Sequence, residues 1–240
     1  MRISRIHTPQ PLQAGVEVTL DEQRSHYLTR VLRLPLGASL IVFNGDGLEY
    51  PATLNSADKK YTRIVLAEPV QPNTESALHT VLGLGISRGE RMDYAIQKST
   101  ELGVSVITPL LTEHCEVKLS GERIEKRLEH WRQISISACE QCGRVRLPVI
   151  ESPQPLASWL RSEPAGLKLL FDHTQAAPLP KAKPDNGVAL LIGPEGGFSD
   201  SELAQAHAAG FTGIALGTRV LRTETAPVAA LAVLQYLWGG

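Results

Sequence analysis

The sequence lacks the long apolar segment that a membrane protein needs. Its apolar runs fall short of the roughly 18 residues of a membrane span, and the amino terminus, Met1–Ser4, lacks the apolar region of a secretion signal. We therefore expect a cytoplasmic protein that has no membrane partner.

Cysteine is scarce: the three cysteines, Cys115, Cys139 and Cys142, cannot all pair within one chain. A cytosolic setting keeps such residues reduced, so we expect free thiols. The Cys139-x-x-Cys142 spacing suits a metal site completed by His114, Cys115 or His130, but the second half of a zinc pattern is missing. The same spacing is weaker evidence for a redox pair, because it lies late in a predicted helix and not at a helix start. We predict no metal site.

The sequence also has no excess of positive charge. Lys and Arg number 24 against 25 Asp and Glu, for a formal net charge of -1, so the total charge does not indicate a nucleic-acid partner. Any RNA-binding surface must then be local. An ordinary solvated helix face would account equally well for the modest basic surplus in residues 1–33. That segment contains Arg2, Arg5, Arg24, Arg30 and Arg33 against Glu17, Asp21 and Glu22, with His7 and His26.

Short apolar or alternating runs dominate the first seventy residues or so. They predict strands at residues 16–20, 40–43, 50–54 and 61–66. Asn44-Gly45-Asp46-Gly47 is a strong β-hairpin signal between two of these strands. One helix interrupts the pattern, from about Asp21 to Arg33, with Asp21 as its N-cap. We predict a small β-rich, barrel-like domain.

A polar segment with two prolines, residues 68–76, predicts a linker. Beyond it, extended runs alternate with helical patterns, which is typical of an α/β domain around a mostly parallel sheet. The predicted strands are residues 79–86, 104–111, 167–171, 188–192 and 213–216; the predicted helices are 91–102, 120–142, one from about 199, and 226–238. We place the domains at residues 1–72 and 73–240.

Three local signals sharpen the helix boundaries. Gly103 supplies the left-handed residue that commonly ends a helix. Ser199 and Glu202 match a capping box. The last helix is apolar almost all round, which predicts burial on more than one face, one against the sheet and another against a partner subunit.

Two strand-to-helix loops carry the chemistry. The first, Ile192-Gly193-Pro194-Glu195-Gly196-Gly197, lies at the carboxyl end of a predicted strand, where open α/β sheets bind ligands, and its glycines let the backbone approach a small molecule. It matches neither the dinucleotide fingerprint nor the phosphate-binding loop of nucleotide hydrolases. Taken alone, it is also compatible with a tight turn that binds nothing.

The second loop runs from Leu216 to Ala226 and packs two arginines, a carboxylate and hydroxyls between apolar residues. Thr223 or Thr225 is a candidate cap for the last helix, with Glu224 in its first turn. A cap does not explain why two arginines lie in a short loop that leads into a buried helix. The pair of loops therefore favours a binding site.

Four motifs together resemble the ribosomal RNA small-subunit methyltransferase E family, which belongs to the knotted SPOUT class. They are Gly193-Pro194-Glu195-Gly196-Gly197, the stretch from Leu216 to Ala226, the segment from Arg88 to Gly103, and Ala138-Cys139-Glu140-Gln141-Cys142-Gly143-Arg144. The resemblance spans the chain and includes Arg30-Val31-Leu32-Arg33. Thr218 departs from it, since the family pattern has proline there.

The resemblance implies a SPOUT-type α/β domain with a carboxy-terminal deep trefoil knot, preceded by a PUA-like β-barrel that binds RNA. It further implies a homodimer, and S-adenosylmethionine as the cofactor. The positions that match the family's cofactor loops are Ile192, Gly193 and Gly197 on one side, and Leu216, Gly217, Leu221, Thr223, Thr225 and Ala226 on the other.

The implied reaction is methylation of uridine N3 in small-subunit (16S) ribosomal RNA, either naked or within the assembled 30S subunit. Uracil N3 must lose a proton to become nucleophilic, so we assign Glu224 as the candidate base and Arg222 as the cation for the developing charge. The candidate RNA-binding residues are Arg2, Arg5, His26, Arg30, Arg33, Arg88 and Arg144, and the resemblance implies that Arg144 reaches across a dimer interface.

Two alternatives remain open from the sequence. A knotted methyltransferase with another target, such as a ribose 2′-hydroxyl, would have similar cofactor loops. A noncatalytic RNA-binding or ribosome-assembly protein is a second alternative, although an intact pair of cofactor loops argues against it. A small-molecule enzyme is disfavoured, because the sequence shows no nucleophile with its base and no dinucleotide fingerprint.

Overall fold

The computed structural model describes residues 3–58, 60–117, 121–162, 166–172 and 177–240. Arg2 lies outside these residues, as does Ser120, where a helix was predicted to start. In the described part of the chain, no helix is both long enough and apolar enough to cross a membrane. The chain divides into two compact units, Met1–Glu75 with Cys139–Leu147, and Ser76–Ala138 with Pro148–Gly240. The first unit thus includes a distant segment that a boundary at residue 72 assigns to the second domain.

The first unit is built on a five-stranded sheet with the order β1-β3-β4-β5-β2. Its strands are β1 (Ser4–His7), β2 (Glu17–Thr19), β3 (Ser39–Phe43), β4 (Tyr50–Ser56) and β5 (Arg63–Leu66). The predicted hairpin is confirmed, because β3 and β4 pair antiparallel across the glycine-rich turn. The missed strand is β1, which pairs parallel with β3 and is too short and polar to show an apolar run. Strands β1 and β2 are the two edges of this sheet and do not pair with each other, so closure of the sheet into a barrel stays a prediction.

The predicted helix between β2 and β3 is two pieces. Helix α1 (Glu22–His26) begins at Asp21, whose carboxylate accepts a hydrogen bond of 2.8 Å from the Arg24 N–H, as predicted. A π-helical turn, Tyr27–Val31, follows it. Arg33, just beyond, has a φ of 52°, a left-handed backbone that is uncommon for residues other than glycine.

The segment Cys139–Leu147, here called the strap, is held to the first unit by buried charges. Glu75 Oε1 accepts hydrogen bonds from the N–H groups of Val145 (2.9 Å) and Arg146 (3.0 Å). Glu75 Oε2 pairs with the Arg144 guanidinium at 3.0 Å. The Arg5 guanidinium pairs with Glu49 at 2.5 Å and donates to the Gly143 carbonyl at 3.2 Å. Apolar contacts add to this, because buried Cys139 clusters with Phe43 and Val145.

Burial also settles the state of one thiol in the strap. Desolvation raises the pKa of Cys139 to about 12, so this cysteine stays protonated at neutral pH. A protonated, buried thiol is a poor nucleophile. All three cysteines are free, as predicted.

The second unit is a parallel sheet with the order β12-β10-β11-β6-β7-β8, with β9 also paired to β7. The strands are β6 (Thr80–Gly85), β7 (Val106–Leu111), β8 (Val149–Ile150), β9 (Gln154–Pro155), β10 (Leu167–Phe171), β11 (Val188–Ile192) and β12 (Thr212–Ile214). The helices are α2 (Gly89–Glu101), α3 (Glu122–Cys142), α4 (Leu156–Ser162), α5 (Asp200–Ala208) and α6 (Thr225–Trp238). The predicted α/β architecture is confirmed.

Side chains that alternate along the strands enter two separate cores. Leu82 and Leu190 join one core with residues of α2, α3 and α6. Val81 and Leu191 join the other with residues of α4 and α5. Because successive strand residues point to opposite faces, the sheet is covered on both sides by helices.

Two of the local signals for helix ends are confirmed. Gly103 follows α2 with a φ of 81°, and Ser199 and Glu202 form a complete capping box on α5. The prediction that Thr223 or Thr225 caps α6 is wrong. Residue Glu224 occupies the N-cap without a side-chain cap hydrogen bond, and Thr225 is already the first helical residue.

Helix α6 buries one face within its own unit, through residues such as Ala230, Leu231 and Leu234. On the other face, Tyr236 is 90% exposed and Leu237 47% exposed. Burial of a second face therefore stays a prediction that depends on a partner.

We predict that Arg144→Ala lowers the free energy of unfolding by about 2–4 kcal/mol, because Glu75 would keep a partly buried charge without its guanidinium partner. The matched control is Arg63→Ala, which breaks the exposed pair between Arg63 and Glu17 (3.1 Å) in the same unit and should cost about 0–1 kcal/mol. Urea unfolding followed by circular dichroism measures both. Equal losses would mean that the Glu75 pair does not hold the strap.

Candidate functional site

The strand order of the second unit directs attention to one edge of its sheet. Strands β6 and β11 are neighbours, and the chain continues from β6 to β7 and β8 on one side, whereas β10 and β12 lie on the other. This is a topological switch point, and ligands of open α/β sheets bind there, beyond the carboxyl ends of the strands. The loop after β11 is the first of the two loops predicted to bind a ligand.

Glycine is required where the loop after β11 approaches β6. A Cβ on Gly85 would lie 2.4 Å from both the backbone N and the Cδ of Pro194, which real structures do not allow. Gly197 has a φ of 67°, and its N–H donates to the Pro194 carbonyl at 2.9 Å, which closes a tight turn. The two strand ends therefore lie in direct backbone contact.

The second loop is tied to the first through Thr223. The Thr223 hydroxyl donates to the Gly193 carbonyl at 2.9 Å and lies 3.1 Å from the Ser87 hydroxyl, which follows β6. Thr223 is 8% exposed and Ser87 is 5% exposed, so both hydroxyls are shielded from solvent. One side chain thus joins the loops after β6 and β11 to the loop before α6.

The loop after β11 and the loop before α6 line a cavity of about 700 Å³, which is within the range of small-molecule sites. Most residues predicted for cofactor binding or catalysis line it: Ile192, Gly193, Gly197, Leu216, Leu221, Arg222, Thr223, Glu224 and Ala226. Gly217 and Thr225 are not part of the lining. Gly217 instead provides a φ of 87° for the turn, and Thr225 is exposed on the first turn of α6.

Several lining residues were not predicted: Arg91, Phe171, Asp172, Phe198, Leu203 and Arg219. Phe171 ends β10, the neighbour of β11, and Asp172 follows it, so the rule that ligands bind at carboxyl strand ends would have found them. Arg219 lies in a loop already singled out. Arg91 enters from α2, and only the tertiary fold places it there.

Glu224 contributes a buried carboxylate to the cavity. Its side chain is 18% exposed, and its Oε2 is buried with no hydrogen-bond donor within the described residues. Its Oε1 lies 4.0 Å from the guanidinium of Arg222, which is 81% exposed. A buried carboxylate oxygen without a donor is rare in folded proteins and suits a ligand that supplies one.

Glu195 organises the mouth of the cavity. Its Oε1 accepts hydrogen bonds from the Arg88 N–H and the Arg91 guanidinium, both at 3.1 Å. Burial alone would raise the pKa of Glu195, but the hydrogen bonds that its carboxylate receives, with the charge of Arg91, lower it below its ordinary value. Glu195 is therefore ionised at neutral pH and holds Arg91 at the cavity.

The candidate RNA-binding residues fall into two groups. His26, Arg30 and Arg33 are exposed on the first unit. The side chains of Arg5 and Arg144 are 11% and 7% exposed and are paired with Glu49 and Glu75. These two arginines hold the strap in place, which leaves them poorly available to RNA.

The exposed side chain of Arg88, in the second unit, forms an ion pair with Glu116 at 2.5 Å. Lys98 and Glu101 form an ion pair on α2, at 2.7 Å. No set of three His, Cys, Asp or Glu residues suited to a metal ion occurs in the part of the chain that the structure describes.

Comparison with known families defines the class of protein. Residues 74–235 match the RNA methyltransferase domain, and residues 20–66 match the RNA methyltransferase PUA domain. The switch-point cavity lies within the first of these matches. The class is therefore RNA methyltransferase.

Individual relatives narrow this class. The ribosomal RNA small subunit methyltransferase E of Buchnera aphidicola subsp. Schizaphis graminum is 36% identical over 240 residues, covering 99% of this chain and 98% of its own. A methyltransferase structure from Legionella pneumophila, in complex with the cofactor SAM, matches with a TM-score of 0.95 and 41% identity over 100% of both chains. A ribosomal RNA small subunit methyltransferase E from Neisseria gonorrhoeae, bound to S-adenosyl methionine, matches with a TM-score of 0.93 and 36% identity over 99% of both. The chain belongs to the ribosomal RNA small subunit methyltransferase E family.

We predict that Thr223→Val lowers the free energy of unfolding by about 1–3 kcal/mol, because the Gly193 carbonyl and the Ser87 hydroxyl would lose a buried partner while the shape is kept. Thr225→Val is the matched control, since Thr225 is exposed two residues later; its effect should stay within about 0.5 kcal/mol. Denaturant unfolding measures both. If the two variants were equally stable, the Thr223 hydroxyl would not join the loops.

Proposed function

We propose that this protein methylates N3 of a uridine in 16S ribosomal RNA, with S-adenosylmethionine as the methyl donor. The observation that carries the proposal is the cavity at the β6–β11 switch point, with a buried carboxylate at its wall, in a chain of this family. The bound S-adenosylmethionine in the Legionella and Neisseria structures supports the choice of cofactor.

The residues of the cavity fit this cofactor. Ile192, Leu216 and Leu221 offer apolar surface for an adenine ring, and the glycines of the first loop leave room for main-chain groups to read its edge. When bound, the cofactor supplies an electrophilic methyl group on a sulfonium.

The remaining task of the protein is to manage one proton and one developing charge. Uracil N3 holds its proton at neutral pH, so we assign Glu224 as the base that accepts it and Arg222 as the cation that stabilises the uridine anion. The exposed Arg222 side chain is free to meet a substrate that arrives from solvent. Holding N3 in line with the methyl group then contributes much of the rate.

RNA binding is assigned to His26, Arg30, Arg33 and Arg88, with Arg2 from the amino terminus. We also propose that the chain forms a homodimer through the exposed face of α6 and that residues 216–226 close a trefoil knot. Exposure of Tyr236 and Leu237 supports the first point.

The proposed reaction predicts one labelled nucleoside. The full-length protein is incubated with tritiated S-adenosylmethionine and small ribosomal subunits from cells that lack this activity, and the RNA is digested to nucleosides. We expect label in 3-methyluridine. Label in a ribose 2′-O-methyl nucleoside would mean that the protein is an RNA methyltransferase with a different target atom. Cofactor binding without transfer to either subunits or naked RNA would favour the noncatalytic alternative.

Glu224→Gln tests the base. We expect the single-turnover rate to fall by about 100- to 10,000-fold, because the amide cannot accept the N3 proton, while RNA and cofactor still bind. A near-native rate with both ligands bound would remove Glu224 from the role of base.

A further inference from the structure

The exposed face of the helical segment in the first unit has no partner in the chain. Ser25 and Leu28 are fully buried, and the Ser25 hydroxyl accepts a hydrogen bond of 2.9 Å from the Thr62 N–H, so the inner face is anchored. His26, Tyr27, Arg30 and Val31 are exposed on the outer face. Since residues four apart share a face in such a segment, they form one strip.

The strip combines an aromatic ring, apolar surface and free positive charge. Tyr27 is 40% exposed and Val31 is 59% exposed. The side chains of Tyr27, Arg30 and Arg33 make no hydrogen bond, ion pair or ring contact with any described residue, whereas neighbouring Arg24 pairs with Asp21. Between Glu22 and Asp46 the sequence contains no acidic residue, so no carboxylate of this segment itself offsets the charge of Arg30 and Arg33.

The backbone of this segment departs from regular geometry twice. The Leu32 N–H donates to the Tyr27 carbonyl five residues back (2.9 Å), which widens the turn. The Leu34 N–H then donates a hydrogen bond of 3.0 Å to the Leu28 carbonyl. Between them, Arg33 adopts the left-handed conformation that ends a helix, where glycine is the favoured residue.

Both departures are typical of functional segments. A π-helical turn inside a helix frequently marks a functional site. A left-handed arginine costs stability that glycine would not, and the Arg33 side chain makes no hydrogen bond or ion pair with a described residue. The side chain of Arg33 is thus better explained by an external ligand than by the fold.

We propose that the strip, together with Arg33 just beyond its end, binds an unpaired RNA strand, with one base stacked on the Tyr27 ring and phosphates on Arg30 and Arg33. An exposed ring beside free guanidinium groups is how proteins hold unstacked nucleotides, whereas double-stranded RNA keeps its bases stacked and is recognised by shape and backbone. The inference rests on the proposed function and adds to it the single-stranded character of the RNA at this surface.

The test measures binding of the full-length protein to a fluorescent single-stranded oligouridylate and to a duplex RNA, at several salt concentrations. Tyr27→Leu should weaken binding to the single strand by about 5- to 150-fold without changing the salt dependence, because it removes a stack and no charge. Tyr27→Phe keeps the ring and should bind like the native protein. Arg30→Ala and Arg33→Ala should each reduce the slope of log K against log salt by about 0.7.

Arg33→Gly separates binding from folding. It should raise the midpoint of thermal unfolding by about 2–4 °C, because glycine relieves the left-handed strain. It should nevertheless weaken binding to the oligouridylate, with the same loss of slope as Arg33→Ala. A more stable variant that binds as tightly as the native protein would overturn the role of Arg33.

The proposal fails if Tyr27→Leu binds the single strand as the native protein does, or if the native protein prefers the duplex and the Tyr27 variants lose nothing. A strip that instead contacts another protein would give the same result. Methyl transfer by the native protein to small ribosomal subunits is measured in parallel. If the native protein transfers methyl groups but Tyr27→Leu binds the single strand normally, only the proposal for the strip is refuted. If Tyr27→Leu weakens binding but the native protein transfers no methyl group, only the proposed reaction is refuted.

Discussion

The close approach of two parallel strand ends is the constraint on which the site depends. Gly85 ends β6, and no side chain fits between it and Pro194 in the loop after β11. With the strand ends in backbone contact, the chain after β11 turns outward, and its turn forms one wall of the cavity. Thr223 then fastens the loop before α6 to the Gly193 carbonyl. The cavity is thus a product of backbone packing more than of side-chain shape.

The two carboxylates at this site, Glu195 and Glu224, have different roles. Glu195 is satisfied by the Arg88 N–H and the Arg91 guanidinium, so it is a structural anion. Glu224 keeps one buried oxygen without a donor in the described residues, and Arg222 beside it faces solvent. The contrast separates the carboxylate that builds the cavity mouth from the one with capacity for a ligand or a proton.

Arginine serves equally distinct purposes in the first unit. The side chains of Arg5 and Arg144 pair with carboxylates and hold the strap in place, so their charge is not available to a ligand. Arg30 and Arg33 keep their charge available at the surface. Sequence alone treats these four residues alike, because a count of basic residues in a segment does not record which carboxylates the fold brings near them.

The sequence by itself determined the alternation of strands and helices, the glycine turns, the α5 capping box and the two loops of the site, because these follow from periodicity and from conformations that few residues adopt. It did not reveal β1, whose pairing with β3 is not local, or the π-helical turn. The cap of α6 was also misread, because the Thr223 hydroxyl, a plausible cap, is drawn to a carbonyl thirty residues away. Only the tertiary structure decided that residues 139–147 join the first unit, that Arg91 reaches the cavity and that Arg144 is buried. Each of these depends on contacts between distant parts of the chain, and a linear pattern of residues does not contain them.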